Sequence, residues 1–99
     1  MKLEPQTIYS FKLTSGEEIV ARVTDCEEHS LRISDPVSVV QGPQGMGLLP
    51  SFFTADPNKH PQLNTQAIVL VSETDAKVAA RYQEATSGIK IAPKSLVLG

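Results

Sequence analysis

The densest group of chemically active side chains lies in one short stretch of the sequence, TDCEEHS. Cys26 and His29 are a thiol and an imidazole close together in the chain, the pairing that a cysteine nucleophile and its base would need. No third residue in the stretch could orient the base, and Glu27 and Glu28 disfavour a thiolate by placing negative charge beside it. We therefore predict a half-buried cysteine beside a solvent-facing histidine, and no enzyme activity.

The sequence signals for a metal site and for a phosphate-binding loop are equally weak. Two segments hold side chains of the ligating types, namely Asp25, Glu27, Glu28 and His29 in the first and Asp56, Asn58 and His60 in the second. Neither spacing matches a known metal-binding loop. The GPQGMG segment lacks both the lysine and the strand-to-helix context of a phosphate loop. We expect no metal ion and no cofactor.

The composition is that of a small soluble domain. The chain has 99 residues, of which 40% are hydrophobic and 20% charged, as is usual for one globular domain. The net charge is −2, so the chain lacks the excess of positive charge that non-specific binding to nucleic acid or anionic membranes requires. The single cysteine, Cys26, cannot form an intramolecular disulfide, and no apolar run approaches the ~18 residues of a membrane span. We expect a cytoplasmic protein without membrane contact.

Alternating apolar and polar residues predict the strands that position the TDCEEHS turn. Tyr9 to Leu13 and Ile19 to Val23 alternate with period two, and the turn at Ser15-Gly16 joins them. A third strand begins at Leu31, and Pro36 predicts a bulge or bend in it because proline lacks an amide hydrogen. After the GPQG turn, GMGLLPSFF predicts a fourth strand. AIVLV predicts a fifth, covered on both faces because every residue is apolar.

The remaining segments predict a long loop, a helix and a tail. Residues 54–66 are rich in Asp, Pro and Asn and read as a loop. A helix is predicted over about 73–87, capped by Ser72 or Thr74, with its inner face formed by Asp75, Val78, Ala79, Tyr82 and Ala85. Residues 89–99 are apolar enough to dock as an extra edge strand. The prediction is one domain over residues 1–99, mainly β: five strands within about 8–71 form a strongly bent antiparallel sheet, or small open barrel, with a C-terminal helix.

The two apolar strands also predict self-association. The apolar runs are LLPSFF in the fourth strand and AIVLV in the fifth, and a sheet of five strands is too small to cover both. An exposed strand edge is a template for pairing with another chain. The alternative is that the helix and the tail cover these edges within one monomer. Val69→Asp is expected to disrupt both core and oligomer, which makes Leu48 the cleaner position for a test. The predicted interface consists of Leu48, Leu49, Phe52, Ile68, Val69, Leu70 and Val71.

The order apolar-x-Leu-x-x-Gly-x-x-apolar-x-small-x-apolar resembles the first Sm motif of Sm-like proteins. Its residues are Phe11, Leu13, Gly16, Ile19, Ala21 and Val23, followed by Leu31, Ile33 and Asp35. Over about residues 9–88 the chain is most similar to short Sm-like proteins of phage, of the marine cyanophage type. The resemblance implies an Sm fold and rings of five to seven subunits, in which the fourth strand of one copy pairs with the fifth of the next. It also implies RNA at the pore and a host cytoplasm if the protein is viral.

The turn after the second strand departs from this family. Sm-like proteins usually have Asp-x-x-Met/Gln-Asn there, with the Asn reading a base, whereas this chain has CEEHS. The arginine- or lysine-glycine pair ahead of the last strand is replaced by Asn64-Thr65-Gln66. If RNA binds, we expect contacts from His29, Ser30, Lys59 and His60. The acidic turn favours the alternative, a ring that serves as a structural or protein-interaction module without nucleic acid.

Overall fold

A computed structural model describes residues 2–89 of the chain. The elements are β1 (Thr7–Leu13), β2 (Glu18–Cys26), β3 (Ser30–Gly42), β4 (Gly45–Pro50), β5 (Gln62–Asn64), a short 3-10 helix (Thr65–Ala67), β6 (Ile68–Glu73) and α1 (Ala76–Ile89). The predicted docking tail, residues 89–99, lies outside the described residues except for Ile89, which ends α1.

The strands form one open antiparallel sheet in the order β4-β3-β2-β1-β6. This confirms the prediction of a mainly β chain with a C-terminal helix, but the predicted count of five strands is wrong. The sixth strand is β5, which lies inside the predicted loop and pairs with the start of β3. Only Leu63 of its three residues packs on the core, so the segment carries too little alternation to be recognised as a strand.

The long strand β3 bends at the predicted position. Val20 lies opposite Val37 and Arg22 lies opposite Ser34, so Asp35 and the following proline form a bulge opposite a single residue of β2. Asp35 has a positive φ of 49°, a backbone conformation that Asp adopts more readily than most residues. The bulge confirms the prediction made from the missing amide hydrogen, and bulges of this kind increase the local bend and twist of a sheet.

The sheet buries apolar side chains on both faces. One core cluster consists of Tyr9, Phe11, Ile19, Ala21, Val23, Leu31 and Ile33. Ile8, Val20 and Val37 form a second cluster with Tyr82 of α1. Ile8 and Val20 alternate along their strands with members of the first cluster, and alternate side chains point to opposite faces. The helix therefore covers one face of the sheet, while the first cluster fills the opposite, bent face.

The helix begins later than predicted, because Asp75 is its N-cap. The Asp75 carboxylate accepts hydrogen bonds from the amides of Lys77 at 3.0 Å and Val78 at 3.2 Å, which satisfies two of the free N–H groups of the first turn. The predicted caps are wrong: Ser72 belongs to β6, and the Thr74 hydroxyl is within hydrogen-bond distance of a β1 serine. Because β6 continues to Glu73, beyond the end of the predicted fifth strand, α1 begins three residues after the sheet ends.

The inner face of α1 matches the prediction only in its first half. Val78 and Ala79 pack against the second core cluster around the buried Tyr82. Ala85, predicted to face inward, is exposed, and Thr86 is buried in its place. The Thr86 hydroxyl donates to the Tyr82 carbonyl oxygen at 2.8 Å, so a polar side chain is tolerated there because its own helix supplies the acceptor.

Candidate nucleic-acid and subunit interfaces

The turn between β2 and β3 is held against the segment that precedes β6. The amide and the hydroxyl of Thr65 both donate to the carbonyl oxygen of His29, at 3.1 Å each. Ser30 lies opposite Asn64 where β3 pairs with β5. The His29 imidazole itself is 83% exposed, and its Nε2 lies 3.7 Å from the Glu28 carboxylate. The structure thus fixes the backbone of His29 and leaves its ring in solvent.

Glu27 is the centre of a polar cluster behind this turn. Its carboxylate accepts from Arg32 Nε at 3.0 Å, from Ser30 Oγ at 3.1 Å and from Gln62 Nε2 at 3.1 Å. The hydrogen bond from Arg32 holds the pKa of Glu27 below its usual value, and that from Ser30 lowers it further. Arg32 also donates from Nη1 to the His60 carbonyl oxygen at 3.2 Å. The cluster ties the turn to β5 and to the loop before it.

Two of the four predicted RNA-binding residues, Ser30 and His60, join the same polar cluster beside the turn that carries His29. Ser30 and His60 both take part in the Glu27–Arg32 cluster, through a hydroxyl and a backbone carbonyl respectively. Lys59 is exposed and precedes His60 in a turn where its amide donates to the Asp56 carbonyl oxygen at 3.1 Å. No contact between Lys59 and the turn after β2 is found among the described residues.

Sequence reasoning missed the residues that hold this end together. Arg32 was not among the predicted site residues, yet it is the donor that connects Glu27 with the His60 backbone. The roles of Gln62 and Thr65 could not be recognised without β5. A signal for Arg32 did exist, because a hairpin closed at the CEEHS turn places this arginine opposite Asp25, where opposite charges are favoured.

Both outer strands of the sheet expose apolar side chains. On β6, Val69 is 57% and Leu70 is 65% exposed, so the prediction that this strand is covered on both faces is wrong for the single chain. Leu70 lies opposite Lys12 and Ile68 opposite Leu13, which leaves Val69 as an extra, bulged residue. On β4, Leu49 is 51% exposed. Neither strand has a further neighbour on its outer side within residues 2–89.

The predicted interface residues divide into two groups. Leu49, Phe52, Val69 and Leu70 are exposed, whereas Leu48, Ile68 and Val71 are partly buried against the core of their own chain. Phe52 and the more exposed Phe53 follow the end of β4 and do not belong to a strand. The predicted choice of probe is also reversed, because Leu48 contributes to the second core cluster and Val69 does not.

The described residues hold neither a metal-binding cluster nor a membrane-crossing helix. No three His, Cys, Asp or Glu side chains within residues 2–89 lie together as a metal site would require. Over the same range, no helix has the length and apolar character needed to cross a membrane. Cys26 is half-buried, and its thiol lies 3.4 Å from the Leu3 carbonyl oxygen. In comparisons with known proteins, the chain matches no family model and no curated protein.

Proposed function

We propose that this protein is a Sm-like, ring-forming oligomer without enzyme activity, in which β4 of one copy pairs with β6 of the next. The strand order is the observation that carries the proposal, since it leaves these two strands at opposite edges of one open sheet. Both edges present exposed apolar residues, Leu49 on β4 and Val69 with Leu70 on β6. Because the two edges differ, pairing is head-to-tail, and head-to-tail contacts close into rings when the rotation permits.

The end of the sheet around the Glu27–Arg32 cluster is the proposed RNA site of this ring. His29 offers an exposed imidazole for stacking or hydrogen bonding, and Lys59 offers a cation for phosphate. Glu27 is paired with Arg32 and therefore repels phosphate less than its sequence position suggests. The bonds from Thr65 to His29 hold the turn in place before a ligand arrives.

A ring that binds a protein partner instead of RNA is the second candidate. Its support is the charge of the same end, where exposed Asp25 and Glu28 outnumber the cation of Lys59. Phe52 and Phe53, both exposed, add an aromatic surface of the kind enriched in protein interfaces. On this reading the ring is retained and the acidic turn excludes nucleic acid.

Fluorescence anisotropy with labelled oligo-U and oligo-A over a salt series tests the RNA site. Phosphate contacts make affinity rise steeply as salt falls, and Lys59→Ala should weaken binding and flatten this salt dependence. Lys77→Ala, which removes an exposed lysine from the start of α1, is the matched control and should change neither. A dissociation constant weaker than about 1 mM at low salt would exclude the RNA site. Light scattering on the same samples reports the ring separately.

A further inference from the structure

A polar cleft lies between the sheet and the C-terminal half of α1. Its volume is about 470 Å³, within the range of ~300–1,000 Å³ that is usual for small-molecule sites. Arg22 of β2 and Asp35 of β3 lie on the sheet side, and Gln83 and Ser87 lie on the helix side, while His60 reaches the cleft from the loop. Most such sites have largely apolar walls, so this lining suits a ligand that is polar throughout.

The backbone around this cleft is strained. Gln6, with a φ of 66°, and Asp35, with a φ of 49°, are the non-glycine residues of the described chain with positive φ, and both line the cleft. Residues held in such conformations concentrate at ligand sites. Contacts from the rest of the fold hold them in place: the Gln6 amide donates to the Val23 carbonyl oxygen at 2.6 Å.

Side chains of opposite charge, Arg22 and Asp35, line the cleft. Arg22 donates from Nη1 to the Gln6 carbonyl oxygen at 3.2 Å, which fixes the guanidinium group at the wall. Burial is the main cause of the raised pKa of Tyr82, but the Asp35 carboxylate also raises it and the Arg22 guanidinium lowers it. Arg22 and Asp35 thus place one positive and one negative side chain on the sheet side of the cleft.

We propose that this cleft binds a small phosphate ester that also carries hydroxyl groups, as sugar phosphates and nucleotides do. Arginine presents planar donors that match a phosphate group, and Arg22 takes this role. A carboxylate accepts hydrogen bonds from hydroxyl groups, and Asp35, which also lines the cleft, takes that role. The Gln83 and Ser87 side chains close the helix side. One chain supplies all these groups, so the site goes beyond the proposed ring and does not depend on it.

Isothermal titration with ribose 5-phosphate, ribose and inorganic phosphate tests the site. Ribose 5-phosphate should bind at least about tenfold more tightly than either component alone. Arg22→Gln should weaken its binding at least tenfold, whereas Arg81→Gln, which removes a guanidinium group that contacts Met46 of β4, should leave it within about twofold. Adenosine and uridine monophosphates in parallel titrations distinguish the source: tighter binding than ribose 5-phosphate assigns a nucleotide, and equal or weaker binding assigns a sugar phosphate.

A second variant keeps the test decisive if Arg22→Gln does not fold. Asp35→Asn should reduce the preference for ribose 5-phosphate over inorganic phosphate, because it alters the hydroxyl acceptor and keeps the phosphate donor. Failure of every phosphate ester to bind more tightly than about 10 mM would overturn the proposal. So would equal losses in Arg22→Gln and Arg81→Gln. A ring-deficient variant such as Leu49→Asp should still bind the ligand, which separates this outcome from that of the proposed function.

Discussion

The hydroxyl of Tyr82, on α1, donates a hydrogen bond to the carbonyl oxygen of Ser34, on β3, over 2.8 Å. The Tyr82 hydroxyl oxygen in turn accepts a hydrogen bond from the amide of Arg22, on β2, at 3.1 Å. Ser34 and Arg22 are opposite each other at the bulge, so one buried side chain reaches backbone groups of two strands where the sheet is irregular. The position of α1 and the bend of the sheet thus depend on each other through this hydroxyl.

Tyr82→Phe should destabilise the fold by about 1–3 kcal/mol, because it leaves a half-buried amide and a half-buried carbonyl without their partner while keeping the ring. Urea denaturation measures the change. Tyr9→Phe is the matched control, since the Tyr9 hydroxyl accepts a single hydrogen bond, from the amide of the exposed Glu4 at 2.9 Å. A loss of stability in Tyr9→Phe equal to that in Tyr82→Phe would contradict the proposed role of the bridge.

The same hydroxyl predicts a loss of stability at alkaline pH. Burial raises the pKa of Tyr82 to about 12, whereas an unfolded tyrosine titrates near pH ~10. Between these values the folded state holds more protons than the unfolded state, so the free energy of unfolding must fall as pH rises. The contribution is complete below about pH 10. Urea midpoints between about pH 9 and 11.5 should fall more steeply for the wild type than for Tyr82→Phe.

The sequence predicted the parts of this arrangement but not their connection. Pro36 indicated the bulge because proline cannot donate to a strand ladder, and the period of Val78, Ala79 and Tyr82 indicated the inner face of the helix. Nothing local indicates that the Tyr82 hydroxyl meets Ser34, because that contact spans 48 residues and depends on how α1 crosses the sheet. Contacts of this kind are set by tertiary packing, which residue spacing does not encode.

Glu27→Ala should loosen the end of the sheet that carries His29. The Glu27 carboxylate joins Ser30, Arg32 and Gln62, so its removal weakens the attachment of β5 to the turn. Hydrogen exchange at the Thr65 amide, which bonds to the His29 carbonyl oxygen, should become faster. Glu28→Ala is the control, since the Glu28 carboxylate is exposed and, within residues 2–89, contacts only the His29 ring; equal acceleration in both variants would contradict the cluster's role.

The wild type should show the same loosening in acid. The hydrogen bond from Arg32 lowers the pKa of Glu27, so the folded state favours the ionised carboxylate. The resulting stability is present above the unfolded pKa of about 4.3 and is lost as pH falls through the lower, folded value. Exchange at Thr65, corrected for its intrinsic pH dependence, should rise in this window for the wild type and stay level for Glu27→Ala.

The sequence indicated which turn to consider as a site, but not the electrostatics of that turn. The resemblance to Sm-like proteins predicted contacts at the CEEHS turn, and in the structure Ser30 and the His60 backbone join one polar cluster there. From residue types alone, Glu27 is an unpaired negative charge that would repel phosphate. Its pairing with Arg32 requires the hairpin geometry and β5, and a three-residue strand with one buried side chain leaves no periodic signal.

Charges placed on the two outer strands should abolish the proposed ring. Leu49→Asp and Val69→Asp each replace an exposed side chain, so the single chain should remain folded. At a subunit contact an unpaired carboxylate costs about 3–5 kcal/mol, which weakens association at least a hundredfold. Light scattering at tens of micromolar should then report the monomer of 10.7 kDa for each variant and a larger mass for the wild type. A monomeric wild type would refute the ring.

Mixing the two variants tests which edges meet. Leu49→Asp keeps an intact β6 and Val69→Asp keeps an intact β4, so an equimolar mixture should form a one-to-one pair through the single undamaged contact. It should not grow further, because the remaining edge of each subunit carries the charge. If β4 instead paired with β4 of another copy, Val69→Asp alone would still dimerise. The masses of the separate and mixed variants therefore distinguish head-to-tail pairing from a symmetric dimer.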